Sequence, residues 1–297
     1  MKTKKIVATL IIVIAIISLI IYSNFNKREK QDKDKIKILT SFYPIYIMTL
    51  NITKGANNVE VSNMAEKLTG CIHDYTLTTT DLRKFEDADI FIQNGAGLES
   101  FTDKITSSYG NVKIISAAEN VTNFIYSDDG ESNSHIWLSI DNYKNEVQEI
   151  ANELSKIDSK NADTYLENCN SYLQKLDELQ EKFKQLNLQN QKAICLNESL
   201  EYLLRENNID ETLVETDHEQ ASISAKMVKD IISKMNEENI DAIFIDKNDS
   251  DKLALVLQNE TDAKIYVLDS GMNGKEDLNS YIETMTKNYE ILKELEK

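Results

Sequence analysis

From Ile36 onward the chain keeps a rhythm that is broken only once, and this rhythm is what most limits its possible folds. Short β-branched runs, Ile36 to Leu39, Val59 to Val61, Ile90 to Ile92, Val112 to Ile115, Ala193 to Leu196, Ala242 to Ile245 and Ile265 to Leu268, alternate with segments of helical period at about 45–54, 79–87, 221–238, 249–260 and 278–295. Parallel strands need long, usually helical crossovers, so this alternation predicts an α/β fold with parallel sheets covered by helices on both faces. The break runs from Asp141 to Leu188, a stretch without Gly or Pro and rich in Glu, Lys, Leu and Gln. It reads as two helices parted near Asp158-Ser159. The second runs from about Lys160 to Leu186, with Tyr165, Cys169, Tyr172, Leu176, Leu179 and Phe183 at three- and four-residue spacings. Its apolar stripe is too irregular for sustained heptads, so the expectation is one long helix of about 40 Å joining two parallel-sheet lobes. The expected organisation is an N-terminal segment 1–35, a first lobe 36–158, a linking helix 159–187 and a second lobe 188–297.

Residues Ile6 to Tyr22 form an apolar run of 17 behind Lys2, Lys4 and Lys5, which reads as an export signal or membrane anchor. No small-x-small pattern follows it, and no cysteine precedes Cys71 to accept a lipid. An uncleaved anchor through 6–22 is therefore the expected reading, with Lys27 to Lys35 as a short exposed tether and the rest of the chain at the cell surface. The chain carries 33 basic and 50 acidic residues, a net charge of −17, and the first 35 residues hold eight of the basic and three of the acidic ones. The part beyond the tether thus sits near −22. Such a balance argues against nucleic acid as a partner and makes cations the natural one. Three cysteines and three histidines exclude a multi-cysteine zinc scaffold or a disulfide-dense module.

Two histidines stand where an α/β fold places ligand-binding groups, in loops next to strand or helix boundaries. His73 lies in Gly70-Cys71-Ile72-His73-Asp74-Tyr75, and His135 in Asn133-Ser134-His135-Ile136-Trp137-Leu138 after an acidic loop. The third, His218, sits between Asp217 and Glu219 and reads as solvated. Cys169, on the apolar stripe of the long helix, and Cys195, in a strand, read as packed rather than reactive.

Four segments appear in order: Thr40-Ser41-Phe42-Tyr43-Pro44-Ile45-Tyr46, His73-Asp74-Tyr75, Asp87 through Glu99 with Asn94-Gly95-Ala96-Gly97-Leu98-Glu99, and Ser134-His135-Ile136-Trp137-Leu138. Together with Leu196 to Leu203, Tyr266-Val267-Leu268-Asp269-Ser270 and Tyr281 to Tyr289, they resemble the zinc and manganese solute-binding proteins of ABC importers. The resemblance spans essentially all of 36–297, and it explains Gly95-Ala96-Gly97 better than a truncated dinucleotide loop does.

The resemblance implies a metal cleft between two lobes, with zinc or manganese as transported ligand held by four side chains. Carried over residue by residue, these are His73, His135, the residue five before Tyr202, which is Asn197, and Asp269. Asn197 departs from the His or Glu of the family; an amide brings no charge and is a poorer zinc ligand. Three neighbours could supply the missing donor. Glu201 shares a helical face with Asn197, Glu198 points about 100° away if the helix has already begun, and a Cys71 thiolate would favour zinc. The expected function is capture of a divalent transition metal, zinc ahead of manganese, by a monomeric, non-enzymatic receptor that passes it to a membrane permease. The alternative is an anchored surface adhesin on the same scaffold with a degenerate site. A metal-dependent hydrolase is disfavoured because four side chains would close the coordination sphere that hydrolysis needs open.

Overall fold

A computed structural model describes residues 35–66, 73, 75–106, 110–127, 130–214 and 224–296. The apolar run 6–22, Cys71 and His218 lie outside the described residues.

The first lobe is built on β1 (Ile36–Thr40), β2 (Val59–Asn63), β3 (Ile90–Gln93) and β4 (Lys113–Ser116), with α1 (Tyr43–Thr53), α2 (Thr79–Glu86) and α3 (Thr102–Thr106) between them. The strands pair in parallel in the order β2-β1-β3-β4. The second lobe repeats this plan. Its strands β5 (Gln191–Cys195), β6 (Ile209–Leu213), β7 (Ala242–Asp246) and β8 (Lys264–Leu268) are ordered β6-β5-β7-β8 and are all parallel. Between the lobes lie α4 (Ile140–Ile157) and the long α5 (Ala162–Phe183); α6 (Glu201–Glu206), α7 (Ala225–Glu238), α8 (Lys252–Thr261) and α9 (Ser280–Lys293) complete the second lobe. At 22 residues α5 spans about 33 Å, shorter than the sequence pattern suggested because the chain leaves the helix at Lys184.

Local chemistry sets these boundaries. Pro44 lies in the first turn of α1, where its missing N–H goes unneeded, and α1 is buried from Pro44 to Ile47 and beyond, which its apolar sequence allows. Thr78 and Asp81 form a reciprocal capping box at α2. The Ser139 hydroxyl accepts from Asn142 N–H to cap α4. The turn from α4 to α5 closes on the Asp158 carboxylate, which accepts from Asn161 Nδ2 at 2.6 Å and from the Tyr165 hydroxyl at 2.8 Å.

In the second sheet the faces alternate as a strand buried on both sides requires. Ala193, Cys195, Ala242 and Phe244 join the large core that runs through both lobes, whereas Ile194, Ile243 and Ile245 join a smaller cluster with Ile231, Met235 and Leu257 of α7 and α8. The edge strand β6, Ile-Asp-Glu-Thr-Leu, is absent from the sequence-based strands because two acids interrupt its apolar pattern. It forms through backbone pairing with β5.

The large core crosses the cleft. Trp137 is fully buried and donates from Nε1 to Ser270 O at 2.8 Å, while the Tyr281 hydroxyl donates to Trp137 O at 2.9 Å. Tyr143 of α4 stacks on Tyr281 of α9 with centroids 3.5 Å apart and planes 9° from parallel. The Tyr43 hydroxyl reaches Lys275 O at 2.6 Å and Ser280, and Asn51 Nδ2 donates to Leu278 O at 2.9 Å.

One buried group opposes this packing. Glu146 on α4 is completely buried and neither carboxylate oxygen has a hydrogen-bond partner. Burial pushes its carboxyl well above the usual range, helped by the nearby charge of Glu99, whose own carboxyl burial also raises. A carboxyl raised in the folded state contributes fully only below its unfolded value of about 4.3, and that contribution is lost as pH rises toward the folded value. Glu146→Met is therefore expected to raise the melting temperature at pH 7.5 by about 2–4 °C, roughly 1 kcal/mol for a domain of this size, with the gain shrinking toward pH 4. Thermal melts at both pH values check this; an equal gain at both would mean that Glu146 ionisation has no part in it.

Candidate metal centre

Every sequence-expected ligand leaves the carboxyl end of a strand or the loop beyond it, where open parallel sheets bind ligands. His73 follows β2, His135 lies between β4 and α4, Asn197 follows β5 and Asp269 follows β8. The Asn94-Gly95-Ala96-Gly97-Leu98-Glu99 segment builds the platform for His135. The buried Glu99 carboxylate accepts from Asn94 N–H at 2.7 Å and Gly95 N–H at 3.0 Å, folding the turn on itself. Gly95 has φ +82°, and a Cβ there would lie 2.1 Å from Ser116 Oγ, so only glycine fits. The turn aims Asn94 Nδ2 at Ser134 O, 3.1 Å away, directly before His135.

His73, His135 and Glu198 bring one ligand atom each to within 4.8 Å of one another, the one such trio of His, Cys, Asp or Glu among the described residues. The two imidazole rings meet edge to face at 5.5 Å, and His135 Nδ1 is 3.9 Å from Glu198 Oε1. His73 is exposed and His135 buried, so the trio spans the cleft from its rim to its floor.

Asn133 fixes the buried imidazole. Its Oδ1 accepts from His135 N–H at 2.9 Å and faces Nδ1 at 2.9 Å, while its Nδ2 donates to Glu198 O and to Glu201 Oε2. Both Nδ2 partners are acceptors, which settles the amide's orientation. The proton of a neutral His135 ring therefore sits on Nδ1, and Nε2 is its lone-pair nitrogen. Asn133 is in turn held by the Tyr202 hydroxyl, which donates to Asn133 O at 2.7 Å from the second lobe.

The structure puts Asn197 to another use. Its backbone is extended, with φ −145° and ψ 119°, and its Oδ1 accepts from Ser199 N–H at 2.9 Å to cap the 3-10 turn Glu198–Leu200. Its Nδ2 donates to Asp249 Oδ2 at 2.7 Å. The helix has not begun at Asn197, so a 100° helical offset does not apply and Glu198 reaches the histidines. Glu201 is instead bound to Arg205 at 2.8 Å and to Asn133. An Asn two residues before a Ser at a helix start is a capping signal, and this could have shown that the amide is spent on its own backbone.

Asp269 is held apart from the trio. Its Oδ1 accepts from Gly271 N–H and its Oδ2 lies 2.7 Å from Lys247 Nζ. A pocket of about 50 Å³ opens beside His135, between Asn197, Glu198, Asp246, Asp249 and Ser270. It is far below the roughly 300–1,000 Å³ of organic-ligand sites and suits an ion. The larger cavity, about 260 Å³, lies among Ile140, Gln180, Phe183, Leu203 and Glu206, away from the expected ligands. Cys169 and Cys195 are buried thiols, pushed up to about 11 and about 12 by desolvation, in keeping with packing roles.

The chain matches the family described as zinc-uptake complex component A, periplasmic, over residues 38–295. It is 25% identical over 284 residues to the high-affinity zinc uptake system protein ZnuA of Bacillus subtilis, covering 88% of each chain. It is also 25% identical to the zinc-binding protein AdcA of Streptococcus pyogenes, covering 87% of this chain but only 56% of AdcA. The solute-binding protein FpvC of Pseudomonas aeruginosa, solved in complex with Mn2+, superposes with a TM-score of 0.77 at 24% identity, over 88% of this chain and 97% of FpvC. Among the described residues no helix is long and apolar enough to cross a membrane. With two parallel lobes and a His-His-Glu cluster between them, and with the match running through nearly the whole region after the tether, the chain belongs to the zinc-uptake component A family, the non-enzymatic solute-binding proteins of metal ABC importers.

Proposed function

We propose that this protein captures zinc outside the cell and delivers it to the permease of an ABC importer, anchored at the surface through residues 6–22. The convergence of His73, His135 and Glu198 ligand atoms within 4.8 Å carries this reading. With Asp269 the set is two imidazoles and two carboxylates; zinc takes it as four single donors in a tetrahedron, whereas manganese, which prefers more oxygens and a higher coordination number, would need the carboxylates to bind through both oxygens. Asp269 supplies the fourth side chain from the end of β8 and closes the sphere, which leaves no position for a reactive water. Glu198 takes the role expected of Asn197, and Asn197 supports it by capping the turn that presents Glu198. Relatives are named for zinc uptake and zinc binding, one for iron binding, and FpvC is solved with Mn2+ and with Ni2+. The acidic surface raises the local cation concentration within about 8–10 Å at physiological ionic strength.

Calorimetric titration of the metal-stripped full-length protein with zinc and with manganese tests the reading. Zinc is expected to bind with one-to-one stoichiometry and more tightly than manganese, and a flat zinc titration would favour the adhesin alternative. His73→Ala, His135→Ala and Glu198→Ala are each expected to weaken zinc by roughly a hundredfold or more, and Asn133→Ala by about tenfold through loss of His135 orientation. Asn197→Ala is expected to cost less than Glu198→Ala; the reverse order would return the third donor to Asn197. Protons compete with metal for the imidazole nitrogens, so affinity should fall on acidification, measured by the same titration at pH 7.5 and 5.5.

A further inference from the structure

The backbone that carries Asp269 beyond β8 is held in place, and a long, flexible side chain neutralises its carboxylate. Asp269 is tied on both sides of its backbone to the buried Asn288, whose Oδ1 accepts from Asp269 N–H at 2.9 Å and whose Nδ2 donates to Asp269 O at 2.9 Å. Its side chain is 18% exposed. Lys247 is the residue immediately after β7. Asp246 pairs with Leu268 across the parallel strands and Lys247 N–H donates to Leu268 O at 2.8 Å, so Lys247 and Asp269 leave the sheet side by side. The Lys247 ammonium, on a side chain 38% exposed, contacts Asp269 Oδ2 at 2.7 Å. The other carboxylates nearby have different partners. Asp246 accepts from Asn248 N–H, Asn248 Nδ2 and Ser270 N–H, and Asp249 accepts from Asn197 Nδ2.

We propose, resting on the capture reading above, that Lys247 is a built-in competitor of the metal for Asp269 and thereby sets how tightly the site holds its cargo. Both Asp269 oxygens are engaged, and of their two partners only the lysine can move away into water without unfolding backbone. A metal arriving at His73, His135 and Glu198 recruits Asp269 as Lys247 withdraws. Lysine suits this exchange because it is a single point charge on a flexible stem, whereas arginine would hold the carboxylate with a rigid fork. An ion pair of this exposure is worth up to about fivefold in affinity. The consequence is a site that binds less tightly than its donor set allows and can surrender its ion to the permease.

The test is zinc titration, with a chelator of known affinity as competitor, of the full-length protein and its Lys247→Met, Asp269→Asn, double and His73→Ala variants. Lys247→Met is expected to tighten zinc binding about two- to fivefold, and to change it less than twofold when Asp269 is already Asn. Melting curves without metal confirm that the exposed substitution leaves the fold intact. An unchanged affinity in Lys247→Met, or the same gain in the Asp269→Asn background, overturns the competition while strong loss in His73→Ala leaves metal capture standing. Full binding by His73→Ala would instead overturn the capture reading, and this proposal with it.

Discussion

The contact on which the site depends is the one that Trp137 makes across the cleft. Its indole is completely buried, donates to Ser270 O of the second lobe and accepts Tyr281 at its own carbonyl. A buried indole N–H without a partner would be costly, so this bond favours the lobes in contact here. His135 is two residues away and packs on the same indole at 5.3 Å. The distance from His135 to Glu198 is set by this packing together with Asn133, which bonds both His135 N–H and Glu198 O. The stacked Tyr143 and Tyr281 rings extend the same seam behind it.

Around this seam, polar groups are arranged so that acids are separated by their duties. Asp246 and Asp249 organise backbone and amides, Glu201 pairs with Arg205, and Glu99 folds the glycine turn. Glu198 and Asp269 are left on the cleft, one beside two imidazoles and the other beside a lysine. A strongly acidic chain could bind cations weakly at many places. Here Asp246, Asp249, Glu201 and Glu99 are engaged within the protein, and Glu198 is the carboxylate that meets nitrogen donors.

The alternation of strand and helix patterns made the α/β class legible, and the Gly- and Pro-free stretch made the central helices legible, because both depend on local period. The edge strand β6 escaped because its pattern is carried by backbone pairing with β5 rather than by apolar side chains. His73 and His135 were legible as candidates from the ordered motifs. Glu198 stays open in the sequence beside Glu201 and Cys71, since its direction depends on whether Asn197 begins a helix or caps one, and that is decided by the 3-10 turn that follows. The matching strand orders of the two lobes left no trace as a sequence repeat, because a parallel four-stranded plan constrains hydrophobic period and not residue identity.

By itself, the sequence determined the family, the two-lobe class and the donors available, because these rest on residue type, order and period along one chain. Tertiary structure decided which donors meet. Residues 73, 135 and 198 come from separate connections of two sheets, and contacts between the lobes, Asn133 to Glu198 and Trp137 to Ser270 among them, bring them within reach of one ion. It also decided that Asp269 starts out paired with Lys247, since neighbours across parallel strands are set by register, a long-range property that no local pattern encodes.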